Sequence, residues 1–514
     1  MTKASETAPI AANLPHRRRA GLARVAPRFP WVIAIVVVAG CAEDEYATPV
    51  ADGPLALEVR YPTSVPIMIM DSIAVWGSVG SGAAELRVNG HRVRVAPNGG
   101  FAAFLPVPPG ESPVLELEAR KGGAVLRRSI ALARSPQTPD PPALPRPVAR
   151  WVRLRRPPSD TVAPVRQTSP IYSRWTPGGM VALPLPQGIR LPADAETSGA
   201  LRLRLAKGLA VWVPRADVED APPRRLVPVV ADPRLRESAS QSFLDVTVAE
   251  PLVTAVELVG THLRWTLFGA RSAVTRPMPE SRGLVRGVTV RGSKNGPVII
   301  DLALGAPVLG WRTTWERGRE RLELRPAPVA ATGLTGLVVA LDPGHPPGGT
   351  IGPTGLDEAS VTLAVAIEAA NRLRALGARP FLTRGDAGPV SLDARIALAE
   401  KAGAQLFVSI HVNAPGDGRP PWSVDGTRVF WLQPQARRLA KSLEESVAAA
   451  LHLKASGAIY SDLAVTRATW FPAVLVEGTG LTMPGREAYL GSRRGIAEYA
   501  AGIVAGIRGW LIEP

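Results

Sequence analysis

Cysteine is almost missing from this chain: 514 residues contain one, Cys41. A single thiol excludes an internal disulfide framework and any cysteine-built metal knot. No nucleophile elbow frames a serine, so serine and cysteine hydrolase chemistry lack support. Aromatic residues make up only 5% of the chain and do not interleave with a basic stripe, which argues against a nucleic-acid partner. The apolar run Trp31–Gly40 holds ten residues, half of the roughly 20 that a bilayer-spanning helix requires. Acidic residues are also in deficit, 44 against 60 basic, for a formal charge of +16. That excess is unevenly spread. Residues 336–514 are near neutral, with 17 basic and 16 acidic, whereas residues 41–335 carry +10. A basic middle could lean on anionic wall polymers or lipid head groups. The preferred reading is a plain compositional bias, since 53 of the 60 basic residues are arginine.

The first 40 residues read as an export signal. Arg17, Arg18, Arg19, Arg24 and Arg28 precede the short apolar run, which ends in small residues. Val38-Ala39-Gly40-Cys41 resembles a bacterial lipobox, which implies that Cys41 is acylated as the first residue of the mature, membrane-anchored protein. The alternative is a plain thiol in an uncleaved segment. Ala42, not Asp, follows the cysteine; by likeness to Gram-negative lipoproteins this points to an exported, periplasmic protein facing the outer membrane.

Residues 41–54 read as a tether. From 55 to 134 the chain alternates apolar and polar residues in short strands such as Ser72-Ile73-Ala74-Val75-Trp76 and Leu115-Glu116-Leu117-Glu118-Ala119. Turn signals at Asn89-Gly90 and Pro97-Asn98-Gly99-Gly100 separate them, a pattern that resembles an immunoglobulin-like β-sandwich. A proline-rich spacer is expected over 135–166. Short strands over 167–218 end on Val211-Trp212-Val213 and look like a small Src-homology-type barrel. A third β-rich block, 240–328, has its strands at 243–249, 253–258, 263–268, 286–291, 297–303 and 320–325 and resembles targeting domains of wall enzymes.

From Gly336 the period changes. A strand at 337–341 precedes an amphipathic helix over 360–375, and strands and helices then alternate: strand 379–383, helix 391–402, strand 405–410, strand 428–432, helix 435–450, strand 473–476 and a terminal helix over 485–510. Such alternation predicts an α/β domain with a mostly parallel sheet flanked by helices. Ligand crevices in such sheets lie beyond the carboxyl ends of the strands. That is where this chain concentrates its chemistry. Val338-Val339-Ala340-Leu341-Asp342-Pro343-Gly344-His345 releases one histidine, Leu406-Phe407-Val408-Ser409-Ile410-His411 a second, and Ala473-Val474-Leu475-Val476-Glu477 a carboxylate. Glu358 follows the first histidine by 13 residues. Two imidazoles and carboxylates are the donor set of an open catalytic zinc site. Asp342 and Asp357 lie close enough in sequence to compete as ligands.

Asp342-Pro343-Gly344-His345, Gly355-Leu356-Asp357-Glu358, Leu382-Thr383-Arg384, Ser409-Ile410-His411-Val412-Asn413 and Val474-Leu475-Val476-Glu477 occur in the order of zinc-dependent N-acetylmuramoyl-L-alanine amidases. The resemblance covers residues 336–514. It implies one zinc ion per catalytic domain on His345, Glu358 and His411, with Glu477 as the base that moves a proton to the leaving amide nitrogen. It also implies a peptidoglycan substrate, cleaved between N-acetylmuramic acid and the L-alanine of the stem peptide. Asp342 is expected behind His345, and Arg384 and Asn413 are expected either at a muramyl or peptide group or behind the ligands, with Asn413 alternatively only holding its turn. Arg395 either joins them or pairs with an acid.

Two departures stand out. Pro346-Pro347-Gly348-Gly349 replaces a glycine pair, which predicts a stiffer loop, and Thr479-Gly480-Leu481-Thr482-Met483 lacks the family's Phe and Asn after the base. The interval from Asn413 to Glu477 is short, so an unoccluded site is expected. Two other readings remain: a zinc peptidase cutting within the stem, and a catalytically weak wall-binding scaffold. The sequence names no activator protein.

Overall fold

The computed structural model describes residues 47–63, 71–110, 112–132, 144–155, 171–177, 179–275, 278, 280–292, 296–328 and 333–512. Cys41, the export signal and most of the expected spacer lie outside them.

Alternation at period two builds the first module. Strands Glu58–Tyr61, Ser72–Ser78 and Gly100–Pro106 form one sheet, and Glu85–Val88, His91–Val93, Val114–Lys121 and Ala124–Ala131 the other. Ile73, Val75 and Phe101 from the first sheet meet Leu86, Val88, Leu115 and Leu117 from the second in one buried core. Face-to-face packing of this kind is a β-sandwich.

The spacer expected over 135–166 does not hold throughout. Arg146–Leu154 is a strand that pairs with Arg190–Glu196 on one side and Val218–Asp220 on the other. It closes a seven-stranded sheet whose module therefore starts before residue 167 and runs past 218. The cause is an alternation hidden among arginines: Val152 and Leu154 are fully buried, Val148 packs against them and Arg153 between them faces outward, while Arg150 on the inward row is held by Glu196.

The third block also begins earlier than expected, with strand Val229–Glu237, and gains Val308–Glu316. Asp232, with φ of 48°, and a register shift between Ala231 and Arg234 break the apolar alternation that would have marked the first of these. Two sheets of five and four strands enclose Val246, Trp265, Ile300, Leu322 and Leu324.

In the catalytic domain, the sheet carries six strands in the order Arg379–Leu382, Val338–Pro343, Leu406–Asn413, Ala473–Gly480, Thr427–Trp431, Ala455–Tyr460. Only the pairing of Thr427–Trp431 with Ala473–Gly480 is antiparallel. Ala455–Tyr460 was not expected: it is a half-exposed edge strand interrupted by Ser456 and Gly457, with no run of large apolar residues. Helix Glu358–Ala375 and the terminal Arg493–Ile512 cover the sheet with Arg437–Ala450. The single terminal helix expected over 485–510 is two, Pro484–Leu490 and Arg493–Ile512, broken at Gly491 and Ser492. Among the described residues no helix is long and apolar enough to cross a membrane.

All three β-rich modules contact this domain. Val181 donates to Asp462, Trp311 to the Thr469 carbonyl, and Arg325 to the carbonyls of Ala404 and Trp470.

Candidate metal centre

The three central strands end side by side, so their terminal side chains converge. His411 and Glu477 are register partners on adjacent parallel strands, and Glu477 is the register partner of Arg428 on its other side. Register partners share a face, which sets an imidazole, a carboxylate and a guanidinium in one row. His345 follows the end of the neighbouring strand at φ of 56°, in the left-handed region that histidine enters more readily than most residues.

Glu358 arrives as the first residue of its helix. Asp357 caps that helix by accepting from the Ser360 amide at 2.9 Å, which engages its carboxylate away from the imidazoles. Glu358 is 5% exposed at its side chain. Its Oε1 lies 3.1 Å from His411 Nδ1 and its Oε2 lies 3.5 Å from His345 Nε2. Donor atoms of all three residues fall within 4.8 Å of one another. A tetrahedral site with bonds of ~2.0–2.1 Å sets its donors ~3.3 Å apart, so these residues fit a single ion. The amides of Thr350 and Val412 hold the same carboxylate at 2.9 and 3.2 Å. His345 Nδ1 faces the Pro347 carbonyl at 2.9 Å, which places the ring proton there and leaves Nε2, on the Glu358 side, unprotonated with its lone pair available to an ion.

The electrostatics separate the two carboxylates. Burial works to raise Glu358, but the His411 hydrogen bond, the two imidazoles and the Thr350 amide outweigh it and hold the group below the ordinary glutamate range. Burial pushes Glu477 up to about 7, helped by the charge of Glu358 and opposed by His411 and Arg428. Its Oε2 is buried without a hydrogen-bond partner. One carboxylate is thereby kept as an anion and the other poised to exchange a proton near neutrality.

Asp342 does not touch the His345 ring. It accepts from Thr383 at 2.5 Å, Ser409 at 2.6 Å and Arg395 at 2.8 Å, and it is 1% exposed. Arg395 carries its effect onward by donating to the carbonyls of His345 and Pro346. Arg384 is 4% exposed and donates to the carbonyls of Pro343, Gly344 and Ala359. It therefore shapes the histidine-bearing turn from behind the ligands, the second of the two places expected of it, and makes no surface for a muramyl contact. Guanidinium forks are suited to gathering several carbonyls where the chain leaves a strand without ladder partners. Asn413 ends its strand half-buried, its carbonyl accepting from Leu481.

Several residues that hold the centre carry no signal in the sequence. Tyr499 donates to the carbonyls of His411 and Val476, tying the terminal helix to the ends of two adjacent strands. Glu487 accepts from the amides of Thr354 and Leu356 and anchors the loop between His345 and Glu358. Gly344 and Gly478 are required by close approach. A Cβ on the first would sit 2.4 Å from the His411 ring, and one on the second 2.5 Å from the Tyr499 ring.

A family profile described as N-acetylmuramoyl-L-alanine amidase matches residues 339–509. The uncharacterized Bacillus subtilis protein YqiI is 32% identical over 192 residues, which cover 36% of this chain and 90% of YqiI. The chain belongs to the N-acetylmuramoyl-L-alanine amidase family. The amidase AmiC of Neisseria meningitidis is 29% identical over 248 residues, 40% of this chain and 57% of AmiC. The catalytic domain of the amidase CwlV from Bacillus (Paenibacillus) polymyxa is similar over 33% of this chain and 96% of its own, at 30% identity and a TM-score of 0.31. The amidase domain is thus confined to the last third of the chain, behind the β-rich modules. Its longest helix between Asn413 and Glu477, Arg437–Ala450, packs against the sheet and the terminal helix and not over the ligands.

Proposed function

We propose that this peptidoglycan amidase works with one zinc ion held by His345, Glu358 and His411, and hydrolyses the amide between the lactyl group of N-acetylmuramic acid and the first L-alanine of the stem peptide. The observation that carries the reading is the convergence of those three donors within 4.8 Å, with Glu477 in register beside His411. When bound, zinc supplies a Lewis acid for the scissile carbonyl and for water. The remaining chemistry belongs to side chains. Glu477 accepts a proton from the attacking water and returns it to the departing amide nitrogen, a task suited to a carboxyl that titrates near 7. Glu358 stays ionised and neutralises the cation, and the Pro347 carbonyl fixes the tautomer of His345.

The mature protein is read as exported and lipid-anchored through Cys41, on the strength of the arginine-rich start, the short apolar run and Val38-Ala39-Gly40-Cys41. That places it against the wall, facing the outer membrane if the cell is Gram-negative. The β-rich modules ahead of the amidase domain favour wall association.

The deciding experiment pairs zinc stoichiometry with digestion of purified sacculi by the wild-type protein and by Glu477→Gln. One zinc per chain, release of free L-alanine amine termini, and retention of zinc with loss of turnover in the variant are expected. A new amine terminus within the stem would make the enzyme a peptidase. Equal turnover in both proteins would leave a wall-binding scaffold.

A further inference from the structure

The first sandwich meets the catalytic domain at the rim of the metal centre. Trp76, 5% exposed, donates from Nε1 to the Ile351 carbonyl at 3.1 Å. Ile351 lies in the loop from His345 to Glu358, one residue beyond the Thr350 amide that holds Glu358. Tyr61 stacks on Trp76, with ring centroids 4.3 Å apart and planes 8° from parallel. Its hydroxyl donates to Asp417 Oδ1 at 2.6 Å, in the loop that follows His411 and Asn413. Asn98 donates to the Pro484 carbonyl at 3.2 Å, beside the helix whose Glu487 grips the Thr354 and Leu356 amides. One aromatic pair from the sandwich thus spans two loops, each continuous with a metal ligand.

The loops that border the centre are irregular. Between Pro346 and Asp357 the chain forms no helix; its own backbone bonds run from Gly352 to the Leu356 carbonyl, from Gly355 to the Gly352 carbonyl and through the bridge of Ile351 with Asp357, and Glu487 holds Thr354 and Leu356 from outside. Loops of that kind open locally at low cost, and an added hydrogen bond from a rigid sheet restrains them. Trp76 and Tyr61 stand on adjacent antiparallel strands of the sandwich, paired in register, so the restraint comes from a fixed platform. Of the hydrogen bonds that the described residues of the sandwich make through Tyr61, Trp76 and Asn98, none falls on His345, Glu358, His411 or Glu477.

We propose that the sandwich is a working part of the amidase site: Tyr61 and Trp76 are positioning residues that brace both rim loops, so the catalytic domain depends on the sandwich and is not screened by it. The inference rests on the amidase reading of the centre. It assigns the N-terminal module a role in setting ligand geometry and the walls of the substrate groove, beyond that of a spacer.

The test uses the full chain carrying Tyr61→Phe or Trp76→Phe, each of which keeps a ring and removes a single donor. Hydrogen exchange is followed at 350–357, at 414–420 and, as an internal control, at 437–450. Loss of one net hydrogen bond corresponds to roughly two- to tenfold easier opening. Trp76→Phe is expected to speed exchange at 350–357 by that factor, and Tyr61→Phe at 414–420, with 437–450 unmoved. Zinc transfer to a chromogenic chelator should accelerate for Trp76→Phe, and kcat should fall for both variants with KM less affected. Tyr61→Phe should add nothing once Asp417 is replaced by Ala, since the acceptor of its hydroxyl is then gone. Unchanged exchange in both loops, or faster turnover in either variant, would overturn the proposal. Failure of the wild-type protein to bind zinc or release L-alanine termini would instead sink the amidase reading, while the exchange data would still decide whether the brace exists.

Discussion

Two sandwiches of similar build touch opposite ends of one catalytic sheet. The first, through Tyr61, Trp76 and Asn98, reaches loops beyond the carboxyl ends of the strands, where the metal ligands lie. The second, through Trp311 and Arg325, reaches Thr469, Trp470 and Ala404, which precede the amino ends of Ala473–Gly480 and Leu406–Asn413. In an open α/β sheet only the former end hosts chemistry. Contacts of comparable chemical kind should therefore have different consequences: the first set bears on turnover, the second on stability.

The largest effects come from the centre that the first sandwich borders. Glu358→Ala should lose both zinc and turnover, whereas Glu477→Gln should keep zinc and lose about 10²–10⁴ in kcat, the usual contribution of a positioned acid–base group; metal analysis beside single-turnover kinetics separates the two. Gly344→Ala should follow, since its methyl group would stand 2.4 Å from the His411 ring. Forced repacking of about 1–3 kcal/mol at that turn should weaken zinc retention by about ten- to a hundredfold, read by chelator competition.

Arg325→Ala sharpens the contrast from the other end. It removes a half-buried guanidinium that bonds the carbonyls of Ala404 and Trp470 and lies over the Trp470 ring, with 4.9 Å from Cζ to the centroid. A stability loss of about 1–3 kcal/mol is expected in denaturant melts, with kcat/KM unchanged within about twofold. A large loss of turnover here would break the distinction between the two ends.

The smallest effect is a pH dependence confined to the second sandwich. Glu320 is 2% exposed and burial pushes it up to about 8, with only the Leu252 amide working against the shift. Its folded pKa therefore stands above the unfolded value. Between about 4.5 and 8 the folded state binds more protons, so stability falls as pH rises through that window. Glu320→Gln should flatten this slope and raise the denaturation midpoint at pH 8 more than at pH 5. An equal gain at both values would reject burial of the carboxylate as the cause.

Much of the metal centre was legible before any fold was drawn. His345, His411 and Glu477 each end an apolar run of strand length, and a parallel sheet aligns such ends without further instruction. Glu358 was legible through its motif, and the helix cap formed by Asp357 supplies the physical reason why the neighbouring acid is occupied elsewhere. Arg384 stayed open between two roles because an arginine near a site can serve substrate or backbone equally well. Only the burial of its guanidinium against three carbonyls separates the two. Strand Arg146–Leu154 was hidden for a related reason: its alternating valines and leucine are diluted by arginine and flanked by prolines, so its partners, not its composition, make it a strand.

By itself the sequence determined the order of modules, the change from period two to alternating strands and helices at Gly336, and the donor set of a zinc hydrolase. These are local properties, carried by side-chain chemistry and spacing. The tertiary structure decided which groups brace that donor set. Tyr499 lies 88 residues from His411, and Trp76 lies 275 from Ile351. A tyrosine or tryptophan at such a distance has no periodicity relating it to its acceptor. The pairing exists only because folding brings a helix, or a whole sandwich, against the ends of the strands.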